Sequence, residues 1–284
     1  MKKSTWIYLI LIAVCGVVFY GYRAVDNLIS DRVSPKISVS GDIPTLSIND
    51  GEEMLLAGIS AEDDKDGDIT SNIIVENMQF MDNKGRAKVT YAVFDKAGNA
   101  ARCEREVMYT DYESPKFTLS SALVFSQNSN FDILSYVKVN DVFDGDISHR
   151  VRATTLGSES ISSVGVHQVE FKVSNSLGDT SEIVLPVEVY AQGAYNASLH
   201  LKNYIVYIEK DSDFDKNDYL KEFIIGSEKT DISSYLPSGF SLRTTGAVDT
   251  SVPGVYSVSY YVTYKSAGDI SYSGFSKLIV VVEE

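Results

Sequence analysis

The sequence predicts an all-β protein: three tandem antiparallel sandwiches behind one apolar N-terminal helix. Two observations carry that prediction, a repeat of about 80 residues and strict in/out alternation within each copy. Ser34-Pro35-Lys36-Ile37 returns as Ser114-Pro115-Lys116-Phe117, and Asp66-Gly67-Asp68-Ile69-Thr70 returns as Asp144-Gly145-Asp146-Ile147-Ser148. Gly85 and Gly98 return as Gly165 and Gly178. The third copy has drifted, but Asn130-Phe131-Asp132 with Tyr136 reappears as Asp213-Phe214-Asp215 with Tyr219, and Gly165 and Gly178 reappear as Gly254 and Gly268. The landmarks divide the chain into an anchor with its linker (1–33), module one (34–113), module two (114–191) and a divergent module three (192–284).

The N-terminal element is an uncharged run from Trp6 to Tyr22 behind Lys2 and Lys3, with Trp6 and Tyr8 at one end and Tyr20 and Tyr22 at the other. That pattern predicts a single membrane-spanning helix with an aromatic belt, its N-terminus cytoplasmic by the paired lysines and the modules extracytoplasmic. A signal peptide begins in the same way. No small-x-small cleavage site follows the run, however, and Val14 stands where a lipoprotein would need a small residue before Cys15. Retention as an anchor is therefore expected.

Within the modules the strand signal is strong and the helix signal nearly absent. His167 to Ser174 alternates without a break, which puts Val169, Phe171 and Val173 on the core side. Its counterparts are Lys88 to Val93 and Ser257 to Val262, and each is followed by a turn and a last strand: Ala100 to Tyr109, Ser181 to Val189 and Lys277 to Val282. These read as hairpins of antiparallel sandwiches. Pro186 has no amide to give to a ladder, so its strand is expected at a sheet edge. The two cysteines, Cys15 and Cys103, lie in the apolar run and in a strand, which leaves packing rather than disulfides to stabilise the modules. Cys103 is expected as a buried thiol.

Pro35-Lys36-Ile37, Asp66-Gly67-Asp68-Ile69-Thr70, the glycine before a Val/Tyr alternation and Asp95-Lys96-Ala97-Gly98-Asn99 together resemble the bacterial immunoglobulin-like domain of the crystal-protein type. Residues 34–190 carry the resemblance well and 194–284 weakly, since module three has Lys229-Thr230-Asp231-Ile232 in place of Asp-Gly-Asp-Ile. The resemblance implies immunoglobulin-like sandwiches in an extracellular, non-catalytic surface protein and implies no particular ligand.

The run Asp63-Asp64-Lys65-Asp66-Gly67-Asp68 invites a calcium reading. An EF-hand is excluded, because Val75 stands where the bidentate Glu would be and no helices flank the loop. Two expectations remain. The aspartates accept hydrogen bonds from loop amides, as Asp does in turns, or Asp141, Asp144 and Asp146 join Asp111 and Glu113 of the linker around a calcium ion as a stiffened junction.

The net charge of −14, with −8 in module one alone, excludes a phosphate backbone as a partner. His149, His167 and His200 sit in no nucleophile motif and at no metal-ligand spacing, and the glycines are isolated turn residues, so no catalytic or nucleotide site is legible. Ten of the eighteen tyrosines fall in module three, where Tyr261 and Tyr272 are the candidates for contact with a partner. The expected function is that of a non-catalytic, membrane-anchored spacer or adhesion rod that engages a cell-envelope protein or polysaccharide. The alternative is a ligand-binding module for either partner, with no cofactor beyond a possible calcium ion.

Overall fold

The computed structural model describes residues 3–29 and 31–284. About 47% of the chain is strand and 14% helix. The helix Lys3–Ile29 holds an 18-residue stretch, Trp6–Arg23, of mean hydropathy 1.7. At ~1.5 Å per residue this spans about 27 Å, close to the hydrocarbon thickness of a bilayer. The helix is thus long and apolar enough to cross a membrane, a property a signal sequence shares.

All three modules have the same plan, a three-stranded and a four-stranded sheet. In module one, Lys36–Val39, Ile59–Asp63 and Gly67–Asp68 make the small sheet, and Thr45–Leu46, Ala100–Tyr109, Arg86–Phe94 and Ile74–Phe80 lie in that order in the large one. Module two repeats this with Lys116–Leu119, Val137–Asp141 and Gly145–Asp146 against Val124–Ser126, Thr180–Tyr190, Gly165–Ser174 and Arg152–Leu156. Module three has Ser198–Leu201, Leu220–Ile225 and Glu228–Asp231 against Ile205–Glu209, Ser271–Glu283, Gly254–Lys265 and Phe240–Thr245.

The ladders are antiparallel with one exception per module. The second strand leaves the first sheet, crosses to the other and runs parallel to the last strand, so that Thr45 pairs with Met108, Val124 with Glu188 and Ile205 with Ile279. This placement corrects the expectation for Pro186. Its strand is internal where Glu188 to Tyr190 meet Val124 to Ser126, and Pro186 lies just before that stretch, where the Gly165–Ser174 strand alone flanks it. The missing amide is tolerated because no ladder is formed on that side. The last strand of module three also starts earlier than its pattern suggests, at Ser271 rather than Lys277.

Alternation delivers the core as expected: Val169, Phe171 and Val173 are at most 2% exposed, as are Val89, Tyr91 and Val93 in module one. Cys103 is half-buried rather than buried, and burial pushes its thiol up. Tyr91 donates to the carbonyl of Leu55 in the short helix Glu52–Leu56, and Tyr260 of module three makes the equivalent bond to Lys216 in a 3₁₀ turn. Phe171 occupies that position in module two. Asp132 and Asp215 cap matching 3₁₀ turns by accepting from Leu134 and Asn217.

The chain divides into two compact units, residues 1–112 and 113–284. The second unit holds two modules with a common apolar seam. Ile205 and Ile279, with Tyr204, Tyr207 and Val281 behind them, join the core built on Phe117, Phe171 and Leu185. The Tyr207 hydroxyl accepts from the Phe117 amide and donates to its carbonyl, and burial pushes its pKa up to about 12. Lys277, with a side chain only 7% exposed, pairs with Glu188 across the same seam. Three sequence modules thus make two structural units.

Candidate functional site

The acidic loops of modules one and two follow one hydrogen-bond scheme. Asp63 Oδ1 accepts from the amides of Lys65 (3.0 Å) and Asp66 (2.9 Å), and Asp141 Oδ1 accepts from Phe143 (2.9 Å) and Asp144 (2.8 Å). Asp66 reaches the turn of the last hairpin, taking the amide of Lys96 at 2.7 Å together with its ammonium. Asp144 takes the amide and hydroxyl of Ser176 and the Arg150 guanidinium. Asp68 and Asp146 accept from Thr70 and Ser148, whose own hydroxyls accept from the amides of Ala61 and Val139. Loop amides therefore take up most of these carboxylates, as Asp does in tight turns. The hydroxyl of Ser176, against an opposing contribution from burial, and then its amide and Arg150 hold Asp144 below the usual carboxylate range; the hydroxyl and amide of Ser148 do the same for Asp146.

The two last-hairpin turns exchange a carboxylate and an amide at two positions. The carboxylate Asp95 of module one is the amide Asn175 in module two, and the amide Asn99 is the carboxylate Asp179. In module two, Asn175 Nδ2 donates to Asp141 Oδ2 at 3.0 Å, which completes a carboxylate only 1% exposed. In module one a carboxylate faces a carboxylate. Asp63, 8% exposed, keeps Oδ2 buried with no hydrogen-bond partner. Asp95, 7% exposed, is held by Asn99, whose amide nitrogen donates to Asp95 Oδ2 (2.6 Å) and to the Asp31 carbonyl (3.3 Å). Burial works to raise the Asp95 pKa, and the side chain and amide of Asn99 with the following turn amides outweigh it, so the group stays ionised. Asp31 completes the set: among the described residues, carboxylate oxygens of Asp31, Asp63 and Asp95 converge to within 4.8 Å of one another.

Of the residues singled out from the sequence, Asp141 and Asp144 sit side by side in their loop, and Asp146 turns to Ser148. Asp111 accepts from the Ser47 hydroxyl and the Ile48 amide within module one, and Glu113 pairs with Lys116 at 3.2 Å. Tyr261 is half-buried, stacked on Phe275 with the Arg243 guanidinium 4.1 Å from its ring centre, and Tyr272 stacks on Tyr264. Asp31, Asp95 and Tyr235, the last 72% exposed, are functional candidates that carry no motif of their own in the sequence. Aligning Asp95 with Asn175 in the repeat is the signal that marks Asp95.

Residues 37–108 match the family model described as a bacterial surface protein, Ig-like domain. Over these residues module one resembles a bacterial Ig-like domain. Over 58 residues the chain is 43% identical to an uncharacterized 81.3 kDa protein of Acholeplasma phage L2, a match covering 20% of this chain and 8% of that protein. Among solved structures, a Clostridium perfringens ZmpB structure titled as CBM51-2 in complex with GlcNAc and INT domains aligns over 59% of this chain and 32% of its own, at 20% identity and a TM-score of 0.23. The extracellular cadherin domains 1–5 of Protocadherin Gamma B2 align over 70% of this chain and 46% of theirs, at 11% identity and a TM-score of 0.20. The chain spans less than half the length of each of these three. At such TM-scores the structural likenesses carry no functional argument.

Proposed function

We propose that the chain is a non-catalytic, membrane-anchored surface protein whose Ig-like modules lie outside the cytoplasm and present module three to a cell-envelope protein or polysaccharide. The observation that carries this reading is the order along the chain: a helix able to span a bilayer is followed directly by a module of a bacterial surface family. In modules one and two most carboxylates of the acidic loops accept from their own turns, which fits a scaffold. Module three departs most from the repeat and carries an exposed aromatic, Tyr235. Exposed aromatic side chains are what polysaccharide and protein partners most often stack on.

Photo-crosslinking on intact cells tests the reading. A photoreactive amino acid at Tyr235 or Tyr272 is expected to give a discrete higher-mass adduct. The same probe at Met81, an exposed residue of module one, is expected to give none. Equal adducts from both modules, or none from either, would overturn the assignment of the contact to module three.

A further inference from the structure

We infer that module one binds one hard divalent cation, calcium by preference, through Asp31, Asp63 and Asp95. The argument begins with an energetic imbalance. A buried carboxylate oxygen without a partner is costly, and here Asp63 Oδ2 is such an atom in a residue 8% exposed. By the equivalence of the two loops it faces the position of Asp95, as Asp141 Oδ2 faces Asn175. Module two resolves the same geometry with an amide donor. Module one has a second carboxylate there and a third from Asp31, whose side chain is 8% exposed.

Three carboxylates with oxygens within 4.8 Å of one another make a concentration of acceptors that a cation between them would satisfy. The Lys65 ammonium stands 3.9 Å from Asp31 Oδ1 and offsets part of this negative charge. Lys65 is 43% exposed at its side chain, and Asp63 Oδ2 is buried without a hydrogen-bond donor. Oxygen ligands at about 2.4 Å from a shared ion lie at most about 4.8 Å apart, which accommodates calcium. Magnesium holds its ligands nearer 2.1 Å in a strict octahedron and keeps its waters, so it fits less well. Asn99 anchors two of the three ligand residues by bonding both Asp95 Oδ2 and the Asp31 carbonyl. It thereby ties the segment that leaves the apolar helix to the last hairpin of module one, and the ion would tighten the same tie.

The test is calorimetric titration of calcium into the full chain, purified in detergent micelles and stripped of metal, with magnesium as a parallel titrant. Wild type is expected to bind one calcium per chain, with magnesium weaker by about tenfold or more. Asp95→Asn, which copies the amide of module two, is expected to lose the calcium heat and to melt above wild type in EDTA, because its amide can donate to Asp63 Oδ2. That higher melting point would show that the lost heat is not a failure to fold. Asp146→Ala is expected to leave the heat unchanged. No calcium heat in wild type, or an Asp95→Asn variant that binds as wild type does, would overturn the inference.

Discussion

Asp144 illustrates how one side chain can join two loops. Its oxygens accept from the amide and hydroxyl of Ser176, 32 residues on, and from Arg150, with its side chain only 13% exposed. Removing it leaves the Ser176 amide and Arg150 without their acceptor, so Asp144→Ala should cost roughly 1–3 kcal/mol at pH 7. The dependence on pH follows from the direction of its shift. The Ser176 hydroxyl is the largest of the causes that hold the folded-state pKa below its ordinary value. The stabilisation is therefore complete above the unfolded value near ~3.9 and is lost as pH falls through the lower folded value. Urea melts of wild type and Asp144→Ala should differ at pH 7 and converge as the pH falls through the lowered folded value; a gap independent of pH would place the effect in packing. The partners of Asp144 were hard to read from sequence, because Ser176 is an unremarkable turn residue until the hairpin folds back onto the loop. The turn role of the aspartates themselves was legible, since Asp before Gly at a strand end competes for local amides.

At the level of elements, the hairpins were readable because alternation and core-facing burial are the same statement. The Ala100–Tyr109 strand has the bounds its pattern suggests. The parallel partner of that strand was not readable, because Thr45–Leu46 is two residues long and its pairing is fixed by where the chain crosses between sheets. The glycines that recur in the repeat have a physical basis at Gly85. It adopts φ +88°, and a Cβ there would lie 2.0 Å from the Tyr109 carbonyl oxygen, whose own amide donates to the Gly85 carbonyl at 2.8 Å. Both the conformation and the close approach exclude a side chain. Gly85→Ala should therefore destabilise module one by roughly 2–4 kcal/mol in calorimetric melts, without moving the transition of residues 113–284. An unchanged melt would mean the turn can be rebuilt.

For the whole molecule, the 80-residue repeat marks three modules, and the last two are joined through Ile205, Ile279, Tyr207 and the Lys277–Glu188 pair. Nothing in the local pattern distinguishes Ile205 or Ile279 from an ordinary strand residue, so a seam between modules leaves no periodic trace. The candidate cation site was half legible: Asp63 lay in a conspicuous acidic run, whereas Asp31 and Asp95 come to it from the linker and the last hairpin, 32 residues away on either side. Every part of the functional account depends on the modules standing outside the cytoplasm. The most direct measurement is the accessibility of an epitope at the C-terminus to added protease on intact cells, with lysed cells as the reference. The account predicts loss of the epitope from intact cells. An epitope that survives until the cells are lysed would contradict it.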